Sequence, residues 1–220
     1  MSPVLGYWKS RGLGQQIRLL LHYCGEKFDQ EFYVAGPAPD FSREQWLSKM
    51  DKLGLDFPNL PYFISGSFRL TQSTAIMVYI ADEHKMLPAS AKERATLLMV
   101  HQAAMDIRNA FYRLTFGPDY EVNKIKYLEN LPADIKRLSD YLGKRKFFSG
   151  EKVNYPDFNI YDLLIVLSTY APGCLDNYGN LKSYIKRFES IPAIRDYLKS
   201  PDYIHRPFTN TMAHWGYYFD

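Results

Sequence analysis

Apolar positions change their spacing about a third of the way along the chain. Residues 3–8 form a short apolar stretch suited to a strand. After Gly12 and Gly14 punctuate a turn, Ile17, Leu20, Leu21 and Cys24 recur at helical spacing, and Gly25 is placed to stop that helix. Residues 27–34 alternate well enough for a second strand. Residues 35–41 carry Gly36, Pro37 and Pro39 and read as a loop. Two short strands, 62–64 and 68–70, flank Ser65-Gly66-Ser67, a hairpin signal, and 71–84 reads as a helix. Strand, helix, strand, hairpin and helix make an α/β unit of residues 1–84.

Beyond Met86 the strand pattern nearly vanishes, and residues 91–220 are expected to form an all-helical domain. Helices are predicted over 92–116 and from 118 to 141 or 142, the second stopped by Gly143 and kinked or interrupted at Pro132. The stretch 156–170 is almost wholly apolar and should be central and buried. Residues 181–189 and 193–199 give two more helices, separated at Pro192.

Composition narrows the function classes. The 220 residues are 46% hydrophobic and 23% charged, which excludes disorder and leaves room for one large or two small domains. The net charge of +3 comes without a dense Lys/Arg block, so neither nucleic acid nor an anionic membrane is an expected partner. Aromatic residues reach 16%, including 18 Tyr, which points to aromatic-lined clefts or interfaces. Two distant cysteines, Cys24 and Cys174, do not make a disulfide framework; with no secretory pattern at the start, the expected location is the cytoplasm. The longest apolar runs fall far short of the roughly 20 residues that span a bilayer. The five His lack metal-ligand spacing, so no metal is expected.

Three features carry candidate chemistry. Pro61 opens a strand, either through a cis Leu60-Pro61 bond that turns the backbone toward a ligand or as an ordinary trans loop proline. Gln72-Ser73 starts a helix, where an anion can be held by the helix terminus, or where Ser73 serves as a plain cap. Tyr7 ends the first strand beside the glycine-containing turn. A neutral phenol there can donate a hydrogen bond to a thiolate, or can merely pack with a wet tip.

Taken together, Leu5-Gly6-Tyr7-Trp8, Arg11-Gly12-Leu13, the run from Leu53-Gly54-Leu55 through Asn59-Leu60-Pro61, and Leu70-Thr71-Gln72-Ser73 resemble the cytosolic glutathione S-transferases. The mu class is the nearest, because Gly36-Pro37-Ala38-Pro39-Asp40-Phe41 is similar to its additional loop. The resemblance continues through Tyr127-Leu128, Asp157-Phe158, Cys174-Leu175-Asp176 and Asn180-Leu181 to Met212-Ala213 and Trp215-Gly216, essentially the whole chain. It implies a thioredoxin-like N-terminal domain, an all-helical C-terminal domain, a two-fold homodimer and glutathione as co-substrate. It makes Tyr7 the thiolate stabiliser, Leu60-Pro61 a cis bond, and Gln72 and Ser73 the site of the γ-glutamyl carboxylate. Trp8, Leu13, Arg43, Trp46, Asn59 and Leu60 match further glutathione-site positions, and Asp106 the residue that reaches glutathione of the partner subunit. By the same resemblance Trp8, Ser10, Leu13, Arg108, Phe111, Phe116 and Asn210 line the electrophile pocket. Asn154 and Asp157 match the cap of the central helix, and Phe57 the aromatic key of the dimer.

Three positions depart from the class pattern. Met50 stands where a Lys usually meets the glycine carboxylate of glutathione, leaving Lys49, Lys52 or Arg43 to compensate. Phe116 replaces a Tyr that assists some members, and Val78 an Arg near the two-fold axis. The reading is an enzyme that conjugates glutathione to hydrophobic electrophiles. The rival, raised by Met50 and Phe116, is a binding or structural protein of the same fold, of low activity, that carries hydrophobic ligands.

Overall fold

The apolar stretch near the start forms strand β1 (Val4–Trp8), followed by helix α1 (Gly14–Cys24), which Gly25 closes in the left-handed conformation. Strand β2 (Asp29–Tyr33), helix α2 (Glu44–Met50), strands β3 (Tyr62–Ser65) and β4 (Phe68–Thr71), and helix α3 (Ser73–Glu83) complete the first α/β unit of the computed structural model, which describes residues 2–217. The sheet order is β2-β1-β3-β4, with β1 and β2 parallel and the other pairs antiparallel. Helix α2 is absent from the sequence pattern. Trp46 is the residue it buries, and one inward residue in seven leaves no period to read.

The second unit, Lys85–Leu198, is helical: α4 (Ala91–Phe116), α5 (Tyr120–Leu142), α6 (Tyr155–Tyr170), α7 (Gly179–Glu189) and α8 (Pro192–Leu198). Its centre is α6, buried at every position from 155 to 164. A capping box starts that helix. Asn154 Oδ1 accepts the Tyr155 N–H, and the Asp157 carboxylate accepts the Asn154 and Phe148 N–H groups at 3.1 and 2.8 Å.

Two expectations change. Helix α5 runs uninterrupted through Pro132. A proline inside a helix costs about 3 kcal/mol, whereas Leu131, Ile135, Leu138 and Leu142 form a buried stripe on both sides of it. Each such side chain contributes about 1.5–3 kcal/mol, so burial outweighs the lost hydrogen bond. The tail from Lys199 groups with the first unit rather than with the helices. Its Pro207 and Phe208 carbonyls accept the Arg11 and Gly12 N–H groups at 2.9 and 3.0 Å.

His101 of α4 is fully buried, its ring 5.4 Å from that of Tyr155. Burial, helped by the Arg108 charge, pushes its pKa down from 6.5 to about 4. A folded pKa below the unfolded one gives stability that is complete above pH 6.5 and is lost as the pH falls toward 4. Asp157 acts in the opposite sense between 3.8 and about 6, because burial raises its pKa. The His101 contribution is therefore isolated by comparison with His101→Gln. The drop in unfolding free energy between pH 7 and pH 4.5, read from urea titrations, is expected to be smaller in the variant by about 2 kcal/mol.

Candidate active site

Sheet register decides which residues meet. Gly6 of β1 lies opposite Tyr62 of β3, and Tyr62 lies opposite Thr71 of β4. One residue further along that edge come Tyr7, Pro61 and Gln72. The end of β1, the entry to β3 and the exit from β4 thus share one end of the sheet. The end of β2 joins them, since Trp8 pairs with Tyr33. Residues distant in sequence arrive at one edge because β1 runs antiparallel to β3, and β3 to β4.

Tyr7 is buried, and its hydroxyl oxygen accepts the Leu13 N–H at 2.9 Å. Gly12 makes this possible. Its φ of +42° suits glycine, and a Cβ there would lie 2.4 Å from the Tyr7 hydroxyl. Tyr7, Trp46 and Leu60 belong to one buried cluster, with Trp8, Leu13 and Met50 packed against it. The Trp46 ring stacks on Tyr62 at 6.1 Å, and the Tyr33 and Tyr62 hydroxyls are hydrogen-bonded at 3.0 Å.

The Leu60-Pro61 bond is cis. Exposed Asn59 turns its carbonyl oxygen onto the Leu60 N–H at 2.8 Å. Gln72 caps α3 in an unusual backbone conformation, φ 71° and ψ 111°, a strained geometry of the kind that functional sites retain. The Gln72 side chain makes no capping hydrogen bond, and Ser73 is the first residue of the helix rather than its cap. Ser73 thus does not occupy the cap position, and the helix start keeps the preference for negative charge of a helix N-terminus.

The cations near Met50 divide. Lys49 pairs with Glu31 of β2 and lies over the Tyr33 ring, contacts that engage its ammonium. Arg43 and Lys52 are exposed at the two ends of α2. In the tail, Asn210 hydrogen-bonds locally, its Oδ1 accepting the Met212 N–H at 3.0 Å. Together with Trp8, Tyr33 and Thr211 it lines a small cavity of about 40 Å³. Ser10 is buried in the turn after β1.

The remaining candidates lie in the helical unit. Arg108, expected in the electrophile pocket, is buried and turns inward. It pairs with Asp162 at 3.0 Å and donates twice to Asn159 at 2.9 Å. Phe111 is fully buried, edge-on to Tyr170 at 5.0 Å. Phe116 ends α4, 40% exposed, beside Tyr112. Asp106 is exposed on α4 and lines an apolar cavity of about 470 Å³ between α4 and α5, with Met99, Ile107, Leu138 and Tyr141.

Arg18 was legible only in part. A charge inside the apolar run Ile17-Arg18-Leu19-Leu20-Leu21 is a signal, but its target is tertiary. Fully buried, it donates to the Ser10 carbonyl at 2.9 Å and to Gln30 at 2.7 Å, with its guanidinium 5.9 Å from the centre of the Tyr7 ring. It supports the turn that supplies the Leu13 N–H.

Residues 3–82 match the family model for the glutathione S-transferase N-terminal domain, and residues 105–201 the one for its C-terminal domain. The chain is 44% identical to glutathione S-transferase Mu 4 of Mus musculus over 98% of its length and 99% of that protein. It is 45% identical, with the same coverage, to a glutathione S-transferase of Mesocricetus auratus. The crystal structure of the glutathione S-transferase Blo t 8 superposes with a TM-score of 0.88 and 27% identity, covering 97% of this chain and 100% of that one. With this likeness along nearly its whole length, and with Tyr7, Leu60-Pro61 and Gln72 at one end of the sheet, the chain belongs to the glutathione S-transferases, among the Mu-class members.

Proposed function

We propose that the protein is a glutathione transferase that joins the glutathione sulfur to hydrophobic electrophiles, working as a detoxifying homodimer in the cytoplasm. The observation that carries this reading is the hydrogen bond from the Leu13 N–H to the Tyr7 hydroxyl at the sheet end. Accepting it polarises the phenolic O–H and strengthens it as a donor. Donated to the sulfur of glutathione, that O–H favours the ionised thiol, whose proton goes to solvent. The thiolate forms the new C–S bond as the leaving group departs with its electron pair, or as an activated double bond takes it up. Holding both reactants supplies the remaining acceleration through proximity.

In this reading the backbone beside the Leu60-Pro61 bond pairs with the cysteinyl segment of glutathione. Gln72, Ser73 and the N-terminal end of α3 receive the γ-glutamyl carboxylate. Trp8, Leu13, Arg43, Trp46 and Asn59 bound the rest of the tripeptide. Trp8, Ser10 and Asn210 in the first unit, and the partly exposed ring of Phe116 in the second, are the candidates for meeting the electrophile, while Phe111 packs inside the helical unit against Tyr170 and Arg108 braces α4 from within through Asp162. Support for the dimer comes from two complementary features: the exposed ring of Phe57, 76% accessible, and the apolar cavity between α4 and α5. In an isologous pair each Phe57 fills the groove of the other protomer, and each Asp106 faces the other's glutathione.

Replacing Tyr7 by Phe is expected to raise the pKa of bound glutathione and to lower turnover near neutral pH about tenfold to a hundredfold, with little loss of binding. Ultraviolet titration of the bound thiolate measures this, and an unchanged pKa would remove Tyr7 from the mechanism.

Met50 offers the glycine carboxylate of glutathione no donor, and Lys49 is engaged by Glu31. Met50→Lys is therefore expected to tighten glutathione about tenfold in calorimetry at low salt, an effect that shrinks as salt rises. Turnover at saturating glutathione should stay nearly constant. Equal affinities would show that Arg43 or Lys52 already fills the role.

Phe57→Ser removes a ring from two symmetric contacts, each worth about 1.5–3 kcal/mol. Sedimentation equilibrium should show dimer association weakened by about a hundredfold or more. Wild-type protein sedimenting as an active monomer at micromolar concentration would overturn the assembly and the shared role of Asp106.

A further inference from the structure

The turn that presents the Leu13 N–H to Tyr7 is held from two sides. Inside, Arg18 grips the Ser10 carbonyl. Outside, the returning chain terminus takes hold of the next two residues, the Pro207 and Phe208 carbonyls accepting the Arg11 and Gly12 N–H groups at 2.9 and 3.0 Å. The Arg11 side chain adds to this. It is 2% exposed, and its guanidinium lies over the rings of Phe208 and Tyr203, 4.9 and 5.4 Å from their centres. Buried cation–aromatic contacts of this kind are among the stronger ones available to an arginine.

The tail segment is itself closed into a loop that resists deformation. The Phe208 and Thr209 N–H groups donate to the Gly216 carbonyl at 2.7 and 3.1 Å. The Thr209 hydroxyl donates to the Trp215 carbonyl, and the Phe208 and Trp215 rings stack at 5.3 Å. The tip of the loop is tied to the segment after β2, where the Thr211 hydroxyl donates to the Gly36 carbonyl at 3.0 Å. A chain of contacts therefore runs from Trp215 through Phe208 and Arg11 to Gly12, whose Cα faces the Tyr7 hydroxyl without a side chain between them.

We propose that residues 203–216 brace the turn after β1, and that Arg11, acting with Trp215, is a positioning residue that sets the Leu13 N–H to Tyr7 hydrogen bond. A brace is needed because a hydrogen bond at 2.9 Å weakens quickly when its donor shifts or tilts. The turn carries Gly12, the residue with the least conformational restraint of its own. The terminus thus contributes to the chemistry without touching the sulfur. This inference rests on the transferase reading for its link to the thiol, but not for the brace itself.

Two readouts on the full-length protein test it. Hydrogen exchange of the Leu13 amide, measured without glutathione, reports the brace. Arg11→Met and Trp215→Ala should each speed that exchange about tenfold or more relative to the amides within α3, whereas Trp215→Phe, which keeps the ring stack, should restore protection. Ultraviolet titration of bound glutathione reports the link to chemistry. Both loosening variants should raise the thiol pKa by about one unit and lower kcat at pH 6.5 about tenfold, with recovery at higher pH and KM for glutathione within about twofold. Trp215→Ala changes no charge, so a shared result separates positioning from loss of the Arg11 cation. Should it fail to fold, Thr209→Val removes only the hydroxyl bonded to the Trp215 carbonyl and gives a smaller shift of the same sign. Unchanged Leu13 exchange in the folded variants overturns the brace. Faster exchange with an unshifted thiol pKa overturns its role in the chemistry. Wild-type protein with no thiolate band on glutathione would instead remove the transferase reading, with the exchange data still deciding the brace.

Discussion

Everything at the candidate site depends on the register of three strands. Gly6, Tyr62 and Thr71 stand in one row across β1, β3 and β4, so Tyr7, the Leu60-Pro61 bond and Gln72 emerge together at the sheet edge. A one-residue slip would send every side chain to the opposite face. That slip is opposed by the cluster of Tyr7, Tyr33, Trp46, Leu60 and Tyr62, which is buried only in this register. The aromatic excess noted in the composition finds one of its uses here. Rings hold the sheet end together while leaving hydroxyls at the edge, as the Tyr33–Tyr62 pair shows.

Three buried charged groups, Arg18, Arg108 and Asp157, are the second organising feature, and each holds partners outside its own element. Arg18 donates to oxygens of Ser10, Gln15 and Gln30, which ties α1 to the turn after β1 and to β2. Arg108 is paired with Asp162 and Asn159, which ties α4 to α6. Asp157 caps α6 while accepting the Phe148 N–H. Such groups add little net stability when satisfied, but leaving one partner alone in the interior costs about 3–5 kcal/mol. They therefore act as alignment devices: each is satisfied only when the elements it joins are correctly placed.

Two positions that the resemblance sets apart, Met50 and Phe116, have apolar surroundings. Met50 packs against the aromatic cluster, while the neighbouring Lys49 pairs with Glu31 of β2. Phe116 sets its ring edge-on against Tyr112. With Met50 in place the Leu13 N–H still reaches the Tyr7 hydroxyl at 2.9 Å, and this is the physical reason to seek the consequence of Met50 in glutathione affinity first.

The hydrophobic pattern alone determined the α/β unit followed by helices, the Gly25 and Gly143 stops, and the burial of α6, because periodicity and helix stops are local properties of the chain. Motifs spread along the chain also marked Tyr7, Leu60-Pro61 and Gln72-Ser73. What sequence could not decide were the outcomes of competition between distant groups. The burial of residues flanking Pro132 let α5 continue. A helix with one inward residue left no period to detect. Arg108 turned inward because Asp162 and Asn159 wait on α6. The return of the terminus to Arg11 and Gly12, nearly two hundred residues away in the chain, was likewise settled only by tertiary structure. Backbone hydrogen bonds to a turn are set by where two carbonyls arrive in space, and no residue type announces that in advance.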